Sequence, residues 1–122
     1  MRVRHFDHIL LAMPKGQEEK ARAFYSGLLG IPEVSKPDDL VARGGCWFES
    51  GQVKIHLGID SHFVPARKAH PAFIVEGLTE LIEILRRAGC EVTEDQPLQG
   101  YDRKFVDDPF GNRIELMEPL SA

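Results

Sequence analysis

The feature that most limits what this chain can fold into is an internal repeat. From Gly30 to His56 the sequence advances 26 residues, and from Gly89 to Glu115 it advances 26 again. In that register Lys54 matches Arg113, Ile55 matches Ile114, His56 matches Glu115 and Leu57 matches Leu116. Each glycine closes a helical pattern. Ala21, Phe24, Tyr25, Leu28 and Leu29 precede Gly30 at three- and four-residue spacing; Leu81, Ile84, Leu85 and Ala88 precede Gly89. An opening strand headed by a histidine stands before each helix, at Phe6–Met13 and at His70–Val75. Each half therefore reads strand–helix–strand–strand–strand. One helix and about four short strands bury too little surface to stand alone, so two copies must complete one architecture.

The expected fold is α+β: two tandem βαβββ modules forming a cupped mixed sheet with helices outside. Module one spans 1–60 and module two 70–122, with a linker over 61–69 inside a single domain. Helices are expected over Gln17–Leu29 and, N-capped by Thr79, over Glu80–Ala88. Gly30 and Gly89 suit left-handed positions past the helix ends. Leu40–Ala42 reads as the end of a strand, Ser50-Gly51-Gln52 as a tight turn, and Val53–Ile59 as strict apolar alternation with His56 on the minority face. Asp107 to Asn112, DDPFGN, supplies turn chemistry, and Asn112–Glu118 then alternates as a final strand.

Composition narrows the function classes. A net charge of −4, without blocks of either sign, argues against a nucleic-acid or anionic-membrane surface. No apolar run approaches the roughly 20 residues of a membrane span, and Met1–Asp7 lacks a signal-peptide core. Cys46 and Cys90 form neither a C-x-x-C pair nor a zinc spacing and read as buried, reduced thiols. A cytoplasmic protein is expected.

A carboxylate in the middle of the last strand either faces water or points into a hollow and holds something. The repeat favours the second reading, because it pairs His8 with His70 and His56 with Glu115. Imidazole and carboxylate are ligand types for a divalent ion such as Zn, Ni, Co, Mn or Fe. Three neutral histidines and one glutamate would leave a doubly charged ion at net +1, suited to polarising a bound substrate. The metal set is thus His8, His56, His70 and Glu115, with Glu115 able to double as a base. Arg67, Tyr101, Arg103 and Arg113 are candidate substrate contacts. His5 and His62 have no repeat partners and read as surface residues, while Trp47 and Met117 read as packing.

On FDHILLAM, AFYSGLLGIPEV, VKIHLGI, HPAFIV and above all DDPFGNRIELME, the chain resembles the vicinal oxygen chelate superfamily. Its branches include glyoxalases, bleomycin-resistance proteins and extradiol dioxygenases. The resemblance implies paired βαβββ modules, often a homodimer, and metal ligands at the first and last strands of each module. Here those places hold His8, His70, His56 and Glu115. Glyoxalase I carries a carboxylate where this chain has His56, and its carboxylates take part in proton transfer. Fosfomycin-resistance enzymes use a His, His, Glu set, matching His8, His70 and Glu115 with His56 spare. The resemblance thus implies a metal-dependent lyase, isomerase or transferase acting on a small oxygen-rich molecule. The alternatives are a metal-free drug- or metabolite-binding protein and, behind it, a non-haem iron dioxygenase.

Overall fold

A computed structural model of the chain describes residues 1–121. It divides into two compact units, Met1–Val64 and Pro65–Ala122, and each builds its own four-stranded mixed sheet. In the first unit the order of elements is β1 (Ile9–Met13), α1 (Glu18–Ala21), β2 (Glu33–Val34), β3 (Cys46–Ser50) and β4 (Val53–Ile59). The second unit holds β5 (Ala72–Ile74), α2 (Leu78–Arg87), β6 (Val92–Thr93), β7 (Tyr101–Asp107) and β8 (Arg113–Pro119). The sheet orders, β1-β4-β3-β2 and β5-β8-β7-β6, are the same order written twice. In each, the opening strand runs parallel to the closing strand, and the remaining pairs are antiparallel. No helix among the described residues is long and apolar enough to cross a membrane.

In the first unit, alternation along β4 sends Ile55 and Leu57 to one sheet face, where Leu11, Met13, Cys46 and Phe48 join them in the core. The helix over that face is not uniform. After α1 the backbone widens into a π-helical segment, Arg22–Leu28, shown by the Leu29 amide bonding Phe24 O at 2.9 Å. Adjacent residues Phe24 and Tyr25 are both buried there, and Tyr25 stacks on Phe48 at 5.4 Å. The stretch expected to end a strand, Leu40–Ala42, is instead part of a 3₁₀ segment, Asp38–Arg43. It closes on Gly44 and Gly45, both at positive φ. A Cβ on Gly45 would stand 2.1 Å from the Leu57 carbonyl oxygen, so only glycine fits.

In the second unit the helix buries Leu78, Ile82 and Leu85, a stripe at i, i+4 and i+7. Ile84, expected on that stripe, is 45% exposed. The reason is phase: Leu78, Ile82 and Leu85 centre the buried face, and Ile84 falls about 120° around the helix from it; the start also differs from the expected one. Thr79 does not cap it; Gly77 does, at φ 75°, and Leu78 opens the first turn. The carboxylate of Glu118 on β8 accepts from Gly77 N at 2.7 Å and Leu78 N at 3.4 Å, supplying the anion that a helix N-terminus favours.

The DDPFGN turn is tied from within. Buried Asp108 accepts from the amides of Phe110 and Asn112 through Oδ1, and from Asn112 Nδ2 through Oδ2, each at 2.9 Å. Asn112 Oδ1 accepts from Ala66 N at 2.9 Å, and Arg113 N donates to Ala66 O. Arg67, a candidate substrate contact by sequence, bonds Gly111 O at 2.6 Å and Asp107 at 2.7 Å. These bonds hold the start of β8, and therefore the position of Glu115.

Candidate functional site

In the second unit, register decides which polar groups meet. On β8, Glu115 lies opposite Phe105 and beside Ala72, and Met117 lies opposite Arg103. These residues share the sheet face away from Ile114 and Leu116. Glu115 is only 6% exposed. Its Oε1 meets His70 Nε2 at 2.8 Å, and its Oε2 meets Arg103 Nη1 at 3.3 Å. His70 does not lie in β5 but two residues before it, where its Nδ1 bonds Lys68 O at 2.9 Å.

That geometry constrains the chemistry. A carbonyl oxygen only accepts, so His70 Nδ1 carries hydrogen and donates. Nε2 is thereby turned toward the carboxylate. A lone pair on Nε2 facing a carboxylate oxygen at 2.8 Å needs a cation to bridge them, either a proton or, with the two groups drawn slightly apart, a metal ion. A backbone carbonyl that orients the second ring nitrogen is the usual support of a metal-binding histidine. The donor set of His70 and Glu115 fits a hard-to-borderline divalent ion. Arg103 is held by Gln96 O and lies 5.3 Å from the Phe105 ring. Arg113 stands 4.0 Å over the same ring and pairs with Asp95 at 3.3 Å. Tyr101 opens β7, half-exposed, opposite Pro119.

The first unit carries a second cluster. His56 is buried at 4% exposure and lies flat against Trp47, with ring centroids 3.8 Å apart and planes 1° from parallel. His8 covers its other side at 4.4 Å. His8 itself lies just before β1, 43% exposed, with Nδ1 bonded to Asp7 at 2.9 Å. That bond, with the Lys54 ammonium beside it, holds the Asp7 carboxyl below its ordinary value. The expected packing role of Trp47 is thus packing against a site candidate.

His56 has a partner that the repeat does not reveal. Glu49 Oε2 meets His56 Nε2 at 2.8 Å. Trp47 lies opposite His56 and Glu49 opposite Lys54, so Glu49 reaches across the diagonal of an antiparallel pair. The two-residue Gly51-Gln52 connection between β3 and β4 sets that register, and it was the signal available. Each unit therefore holds one partly buried histidine–carboxylate contact, Glu49–His56 and His70–Glu115. Among the described residues, no three or more His, Cys, Asp and Glu side chains form a ready-made coordination group.

Comparison with known proteins bears on both clusters. The chain is 45% identical to a protein assigned to the glyoxalase family from Bacillus anthracis, with a TM-score of 0.93 over 98% of each chain. It is 29% identical over 119 residues, 88% of each sequence, to a lactoylglutathione lyase of Salmonella typhimurium. A genomically encoded fosfomycin resistance protein, FosX, from Listeria monocytogenes shares the fold at 18% identity, with a TM-score of 0.74 over 99% of this chain and 95% of that one. The model of one family matches residues 5–116, spanning both modules from before His8 to just past Glu115. The duplicated sheet order and that match agree: the chain belongs to the Glyoxalase/Bleomycin resistance protein/Dioxygenase superfamily.

Proposed function

We propose that the protein is a glyoxalase-like metalloenzyme: a lyase, isomerase or transferase acting on a small oxygen-rich molecule. His70 and Glu115, with His8 and His56 from module one, are the proposed donors to a divalent ion. The observation that carries this reading is the orientation of His70. Its Nδ1 is spent on Lys68 O, which leaves Nε2 facing Glu115 Oε1 at 2.8 Å. A bound ion supplies Lewis acidity toward substrate oxygens. The chain's own groups do the rest. Glu115 accepts a proton, Arg103 fixes its second oxygen at 3.3 Å, and the buried Phe105 keeps water from the pair.

The test is elemental analysis of protein purified without chelator. About one divalent ion per chain is expected, and Glu115→Ala should lose most of it, since Glu115 is the only anion in the set. His56→Ala should lose less, because His8, His70 and Glu115 with solvent already make a three-ligand site.

A second reading is favoured by one observation. The carboxylate of Glu115 is already met on both oxygens by His70 and Arg103. No side-chain nitrogen or oxygen that is buried among the described residues lacks a hydrogen-bond partner. Such a site is self-sufficient as the polar patch of a metal-free binding protein. Protein that stays empty after dialysis against zinc, nickel, cobalt, manganese and ferrous ions decides for that reading.

We also propose a homodimer. Strands β1, β2, β5 and β6 end their sheets, and Ile74 on β5 is 64% exposed. Light scattering should return twice the 13.7 kDa chain mass, and a monomer at micromolar concentration would refute it.

A further inference from the structure

Beside the Glu49–His56 cluster, the first unit has a hollow of about 510 Å³, within the size range of small-molecule sites. Its floor is sheet: Leu10 on β1, Gly58 on β4 and Trp47 on β3. Leu10 pairs with His56 across the sheet, and Trp47 stacks on the same imidazole. The hollow thus begins where the surroundings of His56 end. Gly58 keeps it open, because a Cβ there would meet Leu10 Cδ1 at 3.3 Å. The 3₁₀ segment Asp38–Arg43 makes a wall and contributes Leu40 and Arg43.

The charges facing this hollow are unlike those of the chain as a whole. Lys36 and Arg43 line it. Among the described residues, the Lys36 ammonium bonds the Gly44 carbonyl and meets no carboxylate. The Arg43 guanidinium is exposed and bonds no group among the described residues. The one acidic lining residue is Asp60, whose Oδ1 already accepts from His62 N at 2.9 Å. Two cations against one engaged carboxylate leave a local excess of positive charge on a chain of net charge −4. The apolar side is just as exposed, with Leu10 at 58%.

We propose that this hollow binds a small amphipathic oxyanion. Its carboxylate, phosphonate or phosphate head lies on Lys36 and Arg43, and its short apolar body lies on Leu10 and Trp47. This names the substrate class for the site proposed above and rests on that reading only in setting the ligand beside His56. Binding of the head needs no metal.

Trp47 is the only tryptophan in the chain, so its emission reports the hollow directly. The probes are hexanoate and hexylphosphonate, with uncharged hexanamide as the control, all titrated in the presence of EDTA. A saturable shift of Trp47 emission is expected for both anions, with hexanamide about tenfold weaker. Lys36→Gln and Arg43→Gln should each weaken the anions about three- to fivefold, as partly exposed charge contacts do, and leave hexanamide unchanged. Added salt should weaken the anions alone. Unchanged melting temperatures of the two variants show that the fold is kept. Equal affinity for anion and amide, unaltered binding in both variants, or no saturable shift up to millimolar probe would overturn the proposal. So would anion binding that appears only when a divalent metal is added, because the ion would then hold the head. Protein that takes up no divalent ion on dialysis yet binds the anions refutes the metalloenzyme reading and leaves this one standing.

Discussion

Replacing Glu115 by glutamine separates the electrostatic part of the site from its metal part. The substitution keeps size and one acceptor oxygen but removes the charge between His70 Nε2 at 2.8 Å and Arg103 Nη1 at 3.3 Å. Breaking a buried ion pair from one side costs about 3–5 kcal/mol, because the partner charge stays behind. Here the partners keep other support: His70 retains Lys68 O, and Arg103 retains Gln96 O and the Phe105 ring. A smaller cost, at or just below the low end of that range and about 2–3 kcal/mol, is therefore expected in EDTA. At about 2.1 cal/mol/K per residue, the unfolding entropy of 122 residues is about 0.26 kcal/mol/K, so melting should fall by about 8–12 °C. Adding a divalent ion at a hundred times its dissociation constant stabilises a binding protein by about 2.7 kcal/mol, another ~10 °C. Wild type should gain that and the variant should not, so the gap should roughly double with metal. The assay is a pair of thermal melts, with chelator and with metal. A variant that melts with wild type in EDTA would show that Glu115 does not balance those cations. A gap that does not widen with metal would show that it is no ligand, and the proposed function would fall.

Three further outcomes test the scaffold. Asn112→Ala removes the side-chain bonds to Ala66 N and to Asp108 Oδ2 that tie the turn, so urea unfolding should report a loss of about 2–3 kcal/mol. Gly45→Ala, with φ at 79° and the Leu57 carbonyl oxygen 2.1 Å from the new Cβ, should lose about 3 kcal/mol or more in the same assay; a loss under about 1 kcal/mol would refute the close approach. Burial pushes the Cys46 thiol up from 9.0 to about 11. The folded value is the higher one, so the stability it carries is intact below pH 9 and is lost as pH rises toward 11. Cys46→Ala should flatten that alkaline decline, and an unchanged slope would count against it.

What could be read from the residues, and what could not, divides along the range of the interactions involved. The 26-residue repeat and the alternation of Val53–Ile59 are local patterns, and the two sheets carry them over directly as one strand order used twice. The start of α2 is not local. Thr79 is a good cap by composition, but the anion that serves the helix comes from Glu118, 41 residues from Gly77, and only the β5–β8 pairing brings it there. The apolar spacing of Phe24, Tyr25, Leu28 and Leu29 would serve an α-helix equally well, so it does not announce the π-helical widening at Arg22–Leu28. The same division runs through the candidate site. His70 and Glu115 stand out because the repeat marks both as special positions. Glu49 has no such mark, and it becomes visible only when the Gly51-Gln52 turn is used to fix register. Trp47 then falls opposite His56, Glu49 opposite Lys54, and the diagonal from Glu49 ends on the imidazole. The departure from glyoxalase I at His56 is thereby reframed. The strand that carries His56 lacks a carboxylate there, but the neighbouring strand presents one to the same ring. A negative group beside that position is supplied by Glu49 from the neighbouring strand, at 2.8 Å from the imidazole. If Glu49 orients His56, Glu49→Gln should leave the metal content of the protein as in wild type while loosening the imidazole, seen as a shift in Trp47 emission. Metal loss as large as that of Glu115→Ala would instead make Glu49 a ligand and move the centre onto module one.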